Sequence, residues 1–145
     1  MSYKFLINDL NSQKKIGTDK GLAKIGDGIV NLTYSIAKSI YLTESSSTVQ
    51  RTGLKVNKTI LSNALKNANM KHFAKNRADA HDLANTVEAI IAYVVLNDNM
   101  TLNEIIDFLK DKLSGDLKNR AQELKYASDA FTNLLNYIKK FLPDD

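Results

Sequence analysis

Asp27 and Glu88 are the residues of this sequence best suited to chemistry, because each places a carboxylate inside a strongly apolar stretch. Asp27 lies in the run Leu-Ala-Lys-Ile-Gly-Asp-Gly-Ile-Val at 22–30, and Glu88 lies in the run at 86–96, which is mostly Ala, Ile, Val and Leu. Moving an ionised carboxylate out of water costs free energy unless it is paired, hydrogen-bonded or bound to a metal ion. Two acids in such a setting therefore predict a metal site.

The segment around Asp27 has helical periodicity. Spacings of three and four place on one stripe Lys24, Asp27, Asn31 and either Tyr34 or Ser35. Gly26 and Gly28 flank Asp27, and glycine inside a helix costs roughly 0.5–1 kcal/mol relative to alanine. We therefore expect another backbone or a ligand to approach the helix closely at these glycines and to enclose Asp27.

A second helix carries the other acid. On this helix His81, Asn85, Glu88 and Ala92 form a stripe comparable to the one around Asp27. The small side chains of Ala84 and Ala89 allow a neighbouring helix to come near, so the two stripes can face each other. Magnesium takes one or two carboxylates together with water and phosphate, and facing helices are a common place for such a site. These residue types fit Mg²⁺, with Mn²⁺ as a substitute, better than zinc.

The elements that must position these acids are predicted to be helices throughout. Pro143 is the only proline, and apolar residues repeat at i, i+3, i+4 and i+7 over long segments, which predicts an all-α fold. Asp19, the capping-box pair Thr101 and Glu104, and Gly115 mark expected helix ends. The polar segment 43–53 predicts a mobile loop. The predicted helices span about 3–15, 19–42, 56–69, 82–97, 101–113 and 116–141.

Composition narrows the class of protein. The 145 residues, 43% hydrophobic and 25% charged, predict one globular domain over 1–145. The absence of cysteine excludes disulfides, thiolate zinc sites and cysteine nucleophiles. No apolar run reaches the roughly 18 residues of a membrane span, and the N-terminal residues lack the pattern of a signal peptide. We expect a cytoplasmic protein with no membrane partner.

Charge is divided unevenly along the chain. The formal net charge is +4, but residues 1–80 carry 13 Lys and Arg against 5 Asp and Glu, whereas residues 81–145 carry 7 against 11. A basic half beside an acidic half is compatible with a phosphate-binding surface around a carboxylate metal site. Two differently charged, solvated faces would give the same distribution, and both interpretations remain open.

Three segments together resemble the ribonuclease III family. The family's signature helix has the form Leu-Glu-Phe-Leu-Gly-Asp, and the sequence has Leu-Ala-Lys-Ile-Gly-Asp at 22–27, continued through Asn31. A second family motif is similar to Asn-Thr-Val-Glu-Ala-Ile-Ile at 85–91, and the helix between them is similar to residues 56–65. The resemblance is strongest over 19–97. Residues 98–145 form a helical extension, too short and too helical for the family's double-stranded-RNA-binding domain, so the chain looks closest to the compact Mini-III class and small archaeal relatives.

Two departures from the family pattern concern the acids. The family supplies four acidic residues per subunit, of which Asp27 and Glu88 are present here, while Ala23 and Asn85 stand at the other two positions. Mini-III proteins also have alanine at the first of these positions and lack the aspartate at the second. The departures weaken the predicted metal site without by themselves predicting an inactive protein.

The resemblance implies a ribonuclease III-like helical endonuclease domain that forms a homodimer, in which each subunit cuts one strand of an RNA duplex. It implies a magnesium-dependent hydrolase of double-stranded or structured RNA that acts in RNA processing. Asp27 and Glu88 would be catalytic metal ligands, and Asn85 would offer the metal a neutral oxygen. Asn31 would orient one of these metal ligands without itself contacting the ion.

Basic residues near these segments are expected to contact RNA phosphates, which position a duplex without reading its sequence. The predicted RNA-binding residues are Lys24, Arg51, Lys55, Lys71, Lys75 and Arg77. His72 and His81 lack a metal-ligand spacing and are left out of catalysis. Two alternatives stay open: an inactive RNA-binding protein of the same fold, favoured by Ala23 and Asn85, and a helical protein-interaction module in which both acids are structural.

Overall fold

The computed structural model describes residues 2–144. Within them the chain is all-α, as predicted, with three single-turn 3-10 helices at Lys4–Leu6, Lys71–Phe73 and Lys139–Phe141 and no β-strand. None of these helices combines the length and the hydropathy that a bilayer crossing requires. The six α-helices of the described residues are α1 (Gln13–Gly17), α2 (Lys20–Glu44), α3 (Lys58–Asn67), α4 (Ala80–Leu96), α5 (Leu102–Lys112) and α6 (Arg120–Ile138).

Helix α4 is the centre of the fold. Its side chains are apolar on nearly every face and most are fully buried, which is typical of a helix surrounded by others. The long helix α2 packs along it, α1 and α3 pack beside it, and α6 packs on α3 and α5. The two helices that carry Asp27 and Glu88 are thus direct neighbours in the core.

A glycine brings α2 and α4 together. A Cβ atom on Gly26 would collide with the backbone carbonyl oxygen of Glu88, so only glycine allows this approach. The expected close approach is therefore confirmed at Gly26. At Gly28 the described residues make no such approach, and an added Cβ would meet open space.

Local capping sets the helix ends. The carboxylate of Asp19 accepts a hydrogen bond from the Leu22 N–H at 2.8 Å and begins α2. The predicted capping box of α5 is confirmed, since Thr101 and Glu104 exchange side-chain and backbone hydrogen bonds. Helix α4 begins with a second capping box, formed by Asp79 and Asp82, which the sequence interpretation did not identify.

Two predicted helices differ from those observed. The helix expected over 3–15 is wrong, because the chain makes one 3-10 turn and then starts α1 only at Gln13. The Ser12 hydroxyl accepts the Lys15 N–H at 3.1 Å, and this competing local bond starts a new helix near the end of the predicted one. The last helix begins at Arg120 rather than 116, after a connection in which Gly115 has φ of 74°.

Residues 50–56, which we call the strap, lie extended along α2. Every second backbone N–H of the strap donates to a side chain of α2. Each successive acceptor lies one helical turn closer to the N-terminus of α2 than the one before. The four bonds run from Gln50 N to Thr43 Oγ1 (2.8 Å), Thr52 N to Ser39 Oγ (2.9 Å), Leu54 N to Ser35 Oγ (3.0 Å) and Val56 N to Asn31 Oδ1 (2.8 Å).

The strap and the helix match because their repeats are nearly equal. Four helical residues advance about 6 Å and two extended residues advance about 6.6 Å, so the bonds stay in register over four steps. The predicted loop over 43–53 is non-helical from Ser45 onward, but its second half has a path fixed by hydrogen bonds, which its composition did not indicate. Of the two residues proposed for the α2 stripe, Ser35 faces the strap.

Tyr34 instead points into the core and joins α2 to α6. Its hydroxyl donates to the Glu123 carboxylate at 2.8 Å, and the Lys38 ammonium lies 2.6 Å from the same oxygen. Burial, followed by the hydrogen bond to Glu123, raises the pKa of the Tyr34 hydroxyl above its ordinary value. This cluster is a closed contact between two helices, and Tyr34 is remote from the groove described below.

Candidate active site

Asp27 and Glu88 meet across the α2–α4 contact. Asp27 follows Gly26, the residue on which the Glu88 backbone rests, so the two side chains leave their helices at the same level. Their carboxyl groups are close enough to share a hydrogen bond, and each shifts the pKa of the other. The two acids singled out by the sequence are therefore adjacent.

The two carboxyls differ in their surroundings. Glu88 is only 8% exposed, whereas the Asp27 side chain is 39% exposed, so Asp27 lies at the mouth of the site and Glu88 below it. Burial, together with the hydrogen bond to Asp27 and the charge of Asp27, raises the pKa of Glu88 to about 8. The hydrogen bond from Glu88 lowers the pKa of Asp27 despite its partial burial. The pair therefore favours binding one proton, which the buried Glu88 holds more tightly than Asp27 does.

Two side chains support Asp27 from the strap side. The Asn31 amide donates to Asp27 Oδ1 at 3.2 Å, while its own oxygen accepts the Val56 N–H at 2.8 Å. The Lys55 ammonium lies 3.8 Å from the same Asp27 oxygen. Asn31 thus connects the last step of the strap to the acid, and this arrangement matches the position expected of an orienting residue.

The acid pair opens into a groove of about 550 Å³ between α2, α4 and the start of α3. Asn85 lines this groove one helical turn before Glu88, and Ala23 lines it one turn before Asp27. Five lysines also line it: Lys20, Lys24, Lys55, Lys58 and Lys75. A cavity of this size with converging basic groups is suited to an anionic ligand.

The groove contains other acids, but these have structural partners. Asp19 caps α2, and Asp82 belongs to the capping box of α4 and lies 3.4 Å from Lys75. Among the groove carboxylates of residues 2–144, Asp27 and Glu88 are the two that cap no helix. A ligand of the groove would therefore meet these two acids.

The predicted RNA-binding residues are not all brought together. Lys24, Lys55 and Lys75 line the groove, but Arg51, Lys71 and Arg77 do not. Arg51 lies at the far end of the strap beside a separate shallow depression, and the other two are exposed around the turn that precedes α4. Of the three predicted basic residues at 71–77, only Lys75 lines the groove that holds the acids.

Three groove residues were missed or set aside by the sequence interpretation. Lys20 continues the α2 stripe by one turn before Lys24, so helical spacing alone could have identified it. Lys58 follows the Asn57 cap of α3, and its place in the groove depends on the path of the strap. His81, set aside as a ligand or base, lies on the groove wall.

The donor set fits a hard divalent cation. The described residues contain no group of three or more His, Asp or Glu side chains placed to hold a metal ion. Two adjacent carboxyls and the amide of Asn85 nevertheless supply oxygen donors, and magnesium commonly takes one or two carboxylates and completes its shell with water and phosphate. Zinc sites require more protein ligands, usually including nitrogen or sulfur. Asp27 and Glu88 could hold Mg²⁺ once Glu88 releases its proton.

Comparison with known families gives one match. The family model described as ribonuclease III matches residues 20–143, which include every helix from α2 to α6. No curated protein matches the chain. The resemblance noted over 19–97 is confirmed, and the match continues through the C-terminal helices, where the sequence motifs had given no indication of it.

Proposed function

The chain belongs to the ribonuclease III family, and from this membership we propose that it is a divalent-metal-dependent endoribonuclease of double-stranded or structured RNA, acting in RNA processing. The observation that carries the proposal is the Asp27–Glu88 pair at a groove lined by lysines. The acids suit a metal ion and the lysines suit a phosphate backbone, and a phosphodiester hydrolase needs both.

The acid pair and its neighbours would hold the metal ion. Asp27 and Glu88 would coordinate Mg²⁺ or Mn²⁺, and the Asn85 side-chain oxygen would contact the ion or one of its waters. The bound ion would lower the pKa of a water molecule and stabilise charge on the phosphate. Asn31 holds Asp27 in position through its 3.2 Å hydrogen bond. Glu88 would hold the ion in its ionised form.

The reaction is hydrolysis of one phosphodiester bond. The water oxygen forms a bond to phosphorus as the bond from phosphorus to one bridging oxygen breaks. The attacking water loses a proton to solvent, and the leaving oxygen gains one, so that the products are a phosphate monoester and a hydroxyl. The groove lysines bind the flanking phosphates and hold the strand still during this step.

Duplex recognition would rest on the backbone of the RNA. The five groove lysines come from α2, the strap, α3 and the turn before α4, so they surround the acids on several sides. Arg51, Lys71 and Arg77 lie outside the groove and would contact phosphates further along the duplex. Binding of this kind reads A-form shape and weakens steeply as salt increases.

A homodimer is supported by an apolar face on α2. Ile25, Leu32 and Ile36 are exposed at spacings of seven and four, and the half-buried Ile29 lies between them. Beside them Gly28 has open space around it. Such a stripe on one helix suits a second copy of the chain packed about a two-fold axis, which would present one acid pair to each strand of a duplex. Replacing Leu32 by Glu should shift the mass measured by light scattering from dimer to monomer.

Cleavage of a labelled RNA duplex with Mg²⁺ or Mn²⁺ tests the proposed function. Asp27→Asn and Glu88→Gln should abolish cleavage, and Asp107→Asn, which alters an exposed acid of α5, should leave it unchanged. Wild-type protein that cleaves no duplex with either ion refutes the proposal.

A second candidate is an RNA-binding protein of the same fold that does not cut. It is favoured by Ala23 and Asn85, which leave two carboxyls where the family pattern has four acids. Duplex binding without cleavage under either metal ion would select it. Absence of both binding and cleavage would select a protein-interaction role, in which the acids are structural.

A further inference from the structure

Lys55 is unusual among the groove lysines in the way its backbone is held. The preceding residue, Leu54, donates its N–H to Ser35 at 3.0 Å, and the following residue, Val56, donates its N–H to Asn31 at 2.8 Å. Val56 is also buried in the core. The backbone of Lys55 is therefore fixed by hydrogen bonds on both sides, although this residue lies in a connection between helices.

The side chain of Lys55 extends from this fixed backbone to the acid pair. Its ammonium is 3.8 Å from Asp27 Oδ1 and remains 73% exposed, and its positive charge also acts on Glu88. An ion pair this exposed contributes at most about 1 kcal/mol to folding. The location of the charge is therefore better explained by a ligand that approaches from the groove.

The charge balance of the groove indicates which ligand. The groove offers two adjacent carboxyls, those of Asp27 and Glu88, and Ala23 and Asn85 occupy the other two positions where the family pattern has acids. Fewer carboxylates hold fewer divalent cations, whereas two-metal sites stabilise both the attacking and the leaving oxygen of the phosphate with positive charge. Lys55 is the cation that the structure holds beside Asp27.

We propose that Lys55 binds the scissile phosphate beside the metal ion at Asp27 and Glu88, supplying the positive charge for which a second divalent cation would need more acids. This inference rests on the proposed function. The ammonium donates to a non-bridging phosphate oxygen and leaves Asp27 free to coordinate the metal ion. The strap, through its bonds to Ser35 and Asn31, fixes where that phosphate lies.

Arg51 provides a matched control on the same strap. Its backbone is also held on both sides, by the bonds of Gln50 to Thr43 at 2.8 Å and of Thr52 to Ser39 at 2.9 Å. Its side chain is exposed, and it lies four extended residues, or about 13 Å, from Lys55. Arg51 therefore shares the anchoring and the charge of Lys55 but not its proximity to the acids.

The experiment compares Lys55→Met, Lys55→Arg and Arg51→Met with the wild type. Single-turnover cleavage of an RNA duplex is measured with Mg²⁺ at saturating protein, and duplex affinity is measured without metal ions. Lys55→Met should slow cleavage by roughly 10²-fold and change the dissociation constant by less than about 3-fold. Lys55→Arg should recover part of the rate. Arg51→Met removes a charge that contacts the duplex away from the acids, so it should weaken binding a few-fold and lower the saturated rate far less than Lys55→Met does.

A readout without RNA accompanies these rates. Mn²⁺ binding to the free protein, followed by electron paramagnetic resonance, should become several-fold tighter in Lys55→Met, because a positive charge 3.8 Å from Asp27 is removed. It should not change in Arg51→Met.

The outcomes separate this inference from the proposed function. Equal effects of Lys55→Met and Arg51→Met, or a Lys55→Met variant that cleaves at the wild-type rate, overturn the role of Lys55 while the nuclease assignment stands. Unchanged Mn²⁺ affinity in Lys55→Met also overturns it. Wild-type protein that fails to cleave with Mg²⁺ and Mn²⁺ overturns the proposed function, and the role of Lys55 with it.

Discussion

Helix α2 carries two clusters that pair acids with a lysine, one at the groove and one against α6. In the second cluster, the Glu123 carboxylate lies 2.6 Å from Lys38 and 2.8 Å from the Tyr34 hydroxyl, and the two charged side chains are only 12% and 19% exposed. Its charges are balanced and its polar atoms are satisfied by the chain itself.

The groove cluster is arranged in the opposite way. Asp27 and Glu88 are placed against each other rather than against a close cation, and Lys55 is 3.8 Å away and mostly exposed. Burial, together with the neighbouring Asp27 carboxyl, raises the pKa of Glu88 to about 8, so this pair lacks the balancing cation that the α6 cluster has. A carboxylate that is paired with a cation and hydrogen-bonded inside the protein stabilises the fold. Two adjacent carboxyls without a close cation at a groove instead indicate a ligand-binding site.

Neutralising one acid in each cluster should give opposite results. Asp27→Asn should reduce duplex cleavage by roughly 10³-fold or more, because it removes a ligand for the metal ion, and should change stability little. Glu123→Gln should leave cleavage within a few-fold of wild type and destabilise the fold by about 2–3 kcal/mol, because Lys38 loses its close partner.

Single-turnover rates and urea unfolding of both variants make this comparison. If Glu123→Gln abolished cleavage while the protein stayed folded, the α6 cluster would belong to the active site and the contrast between the clusters would fail. If Asp27→Asn unfolded the protein, Asp27 would be structural.

The sequence predicted the groove cluster better than the α6 cluster. Helical spacing and burial of charge identified Asp27, Glu88, Asn31 and Asn85, since all four follow from periodicity within α2 and α4. The contact of Tyr34 with Glu123 joins residues 89 positions apart, and no local pattern connects them. The choice between Tyr34 and Ser35 on the α2 stripe likewise depended on what packs against the helix.

The conformation of the strap could not be predicted from local sequence patterns. Its polar composition predicted a mobile loop, but its path is set by side chains of α2 that are spaced one helical turn apart. Such a match between a helical and an extended repeat becomes visible only when the two segments are adjacent in space. For the same reason Lys55 was predicted to contact RNA but not to lie beside Asp27, and Lys58 was missed.

The glycine at the helix contact offers a test of how the two acids are brought together. Gly26→Ala should destabilise the protein by about 3 kcal/mol and reduce cleavage, because the new methyl group would collide with the Glu88 carbonyl and separate α2 from α4. Gly21→Ala is the control on the same helix, since its methyl group would meet only the Asp19 carboxylate at 3.5 Å, an ordinary contact distance, and it should be neutral or slightly stabilising. Thermal unfolding of both variants measures the difference, and similar effects would contradict the close approach at Gly26.

The proton on Glu88 should appear in the pH dependence of stability. The folded-state pKa of Glu88 is about 8 against an ordinary value of 4.5, so the folded protein binds more protons than the unfolded chain between these values. Its contribution is therefore fully present below 4.5 and is lost as the pH rises through about 8, and we expect the free energy of unfolding to fall over this range.

Glu88→Gln should remove this loss, because the neutral amide keeps a donor for Asp27 at every pH. Urea unfolding of metal-free protein at several pH values compares the two. A wild type whose stability changes with pH in parallel with Glu88→Gln would show that Glu88 is ionised in the folded state, and the contrast with the charge-balanced α6 cluster would then be lost.

The smallest expected effect concerns Ser35, which lies on α2 between the groove and the α6 cluster. Ser35→Ala and Ser39→Ala each remove one hydroxyl that accepts a strap N–H, so each should cost about 1 kcal/mol of stability. Of these two serines, only Ser35 accepts a hydrogen bond from a residue next to Lys55. Ser35→Ala should therefore also slow cleavage a few-fold, while Ser39→Ala should not. Equal rates in the two variants would mean that the strap supports the fold along its whole length and does not position Lys55, which would assign it to the same class as the α6 cluster.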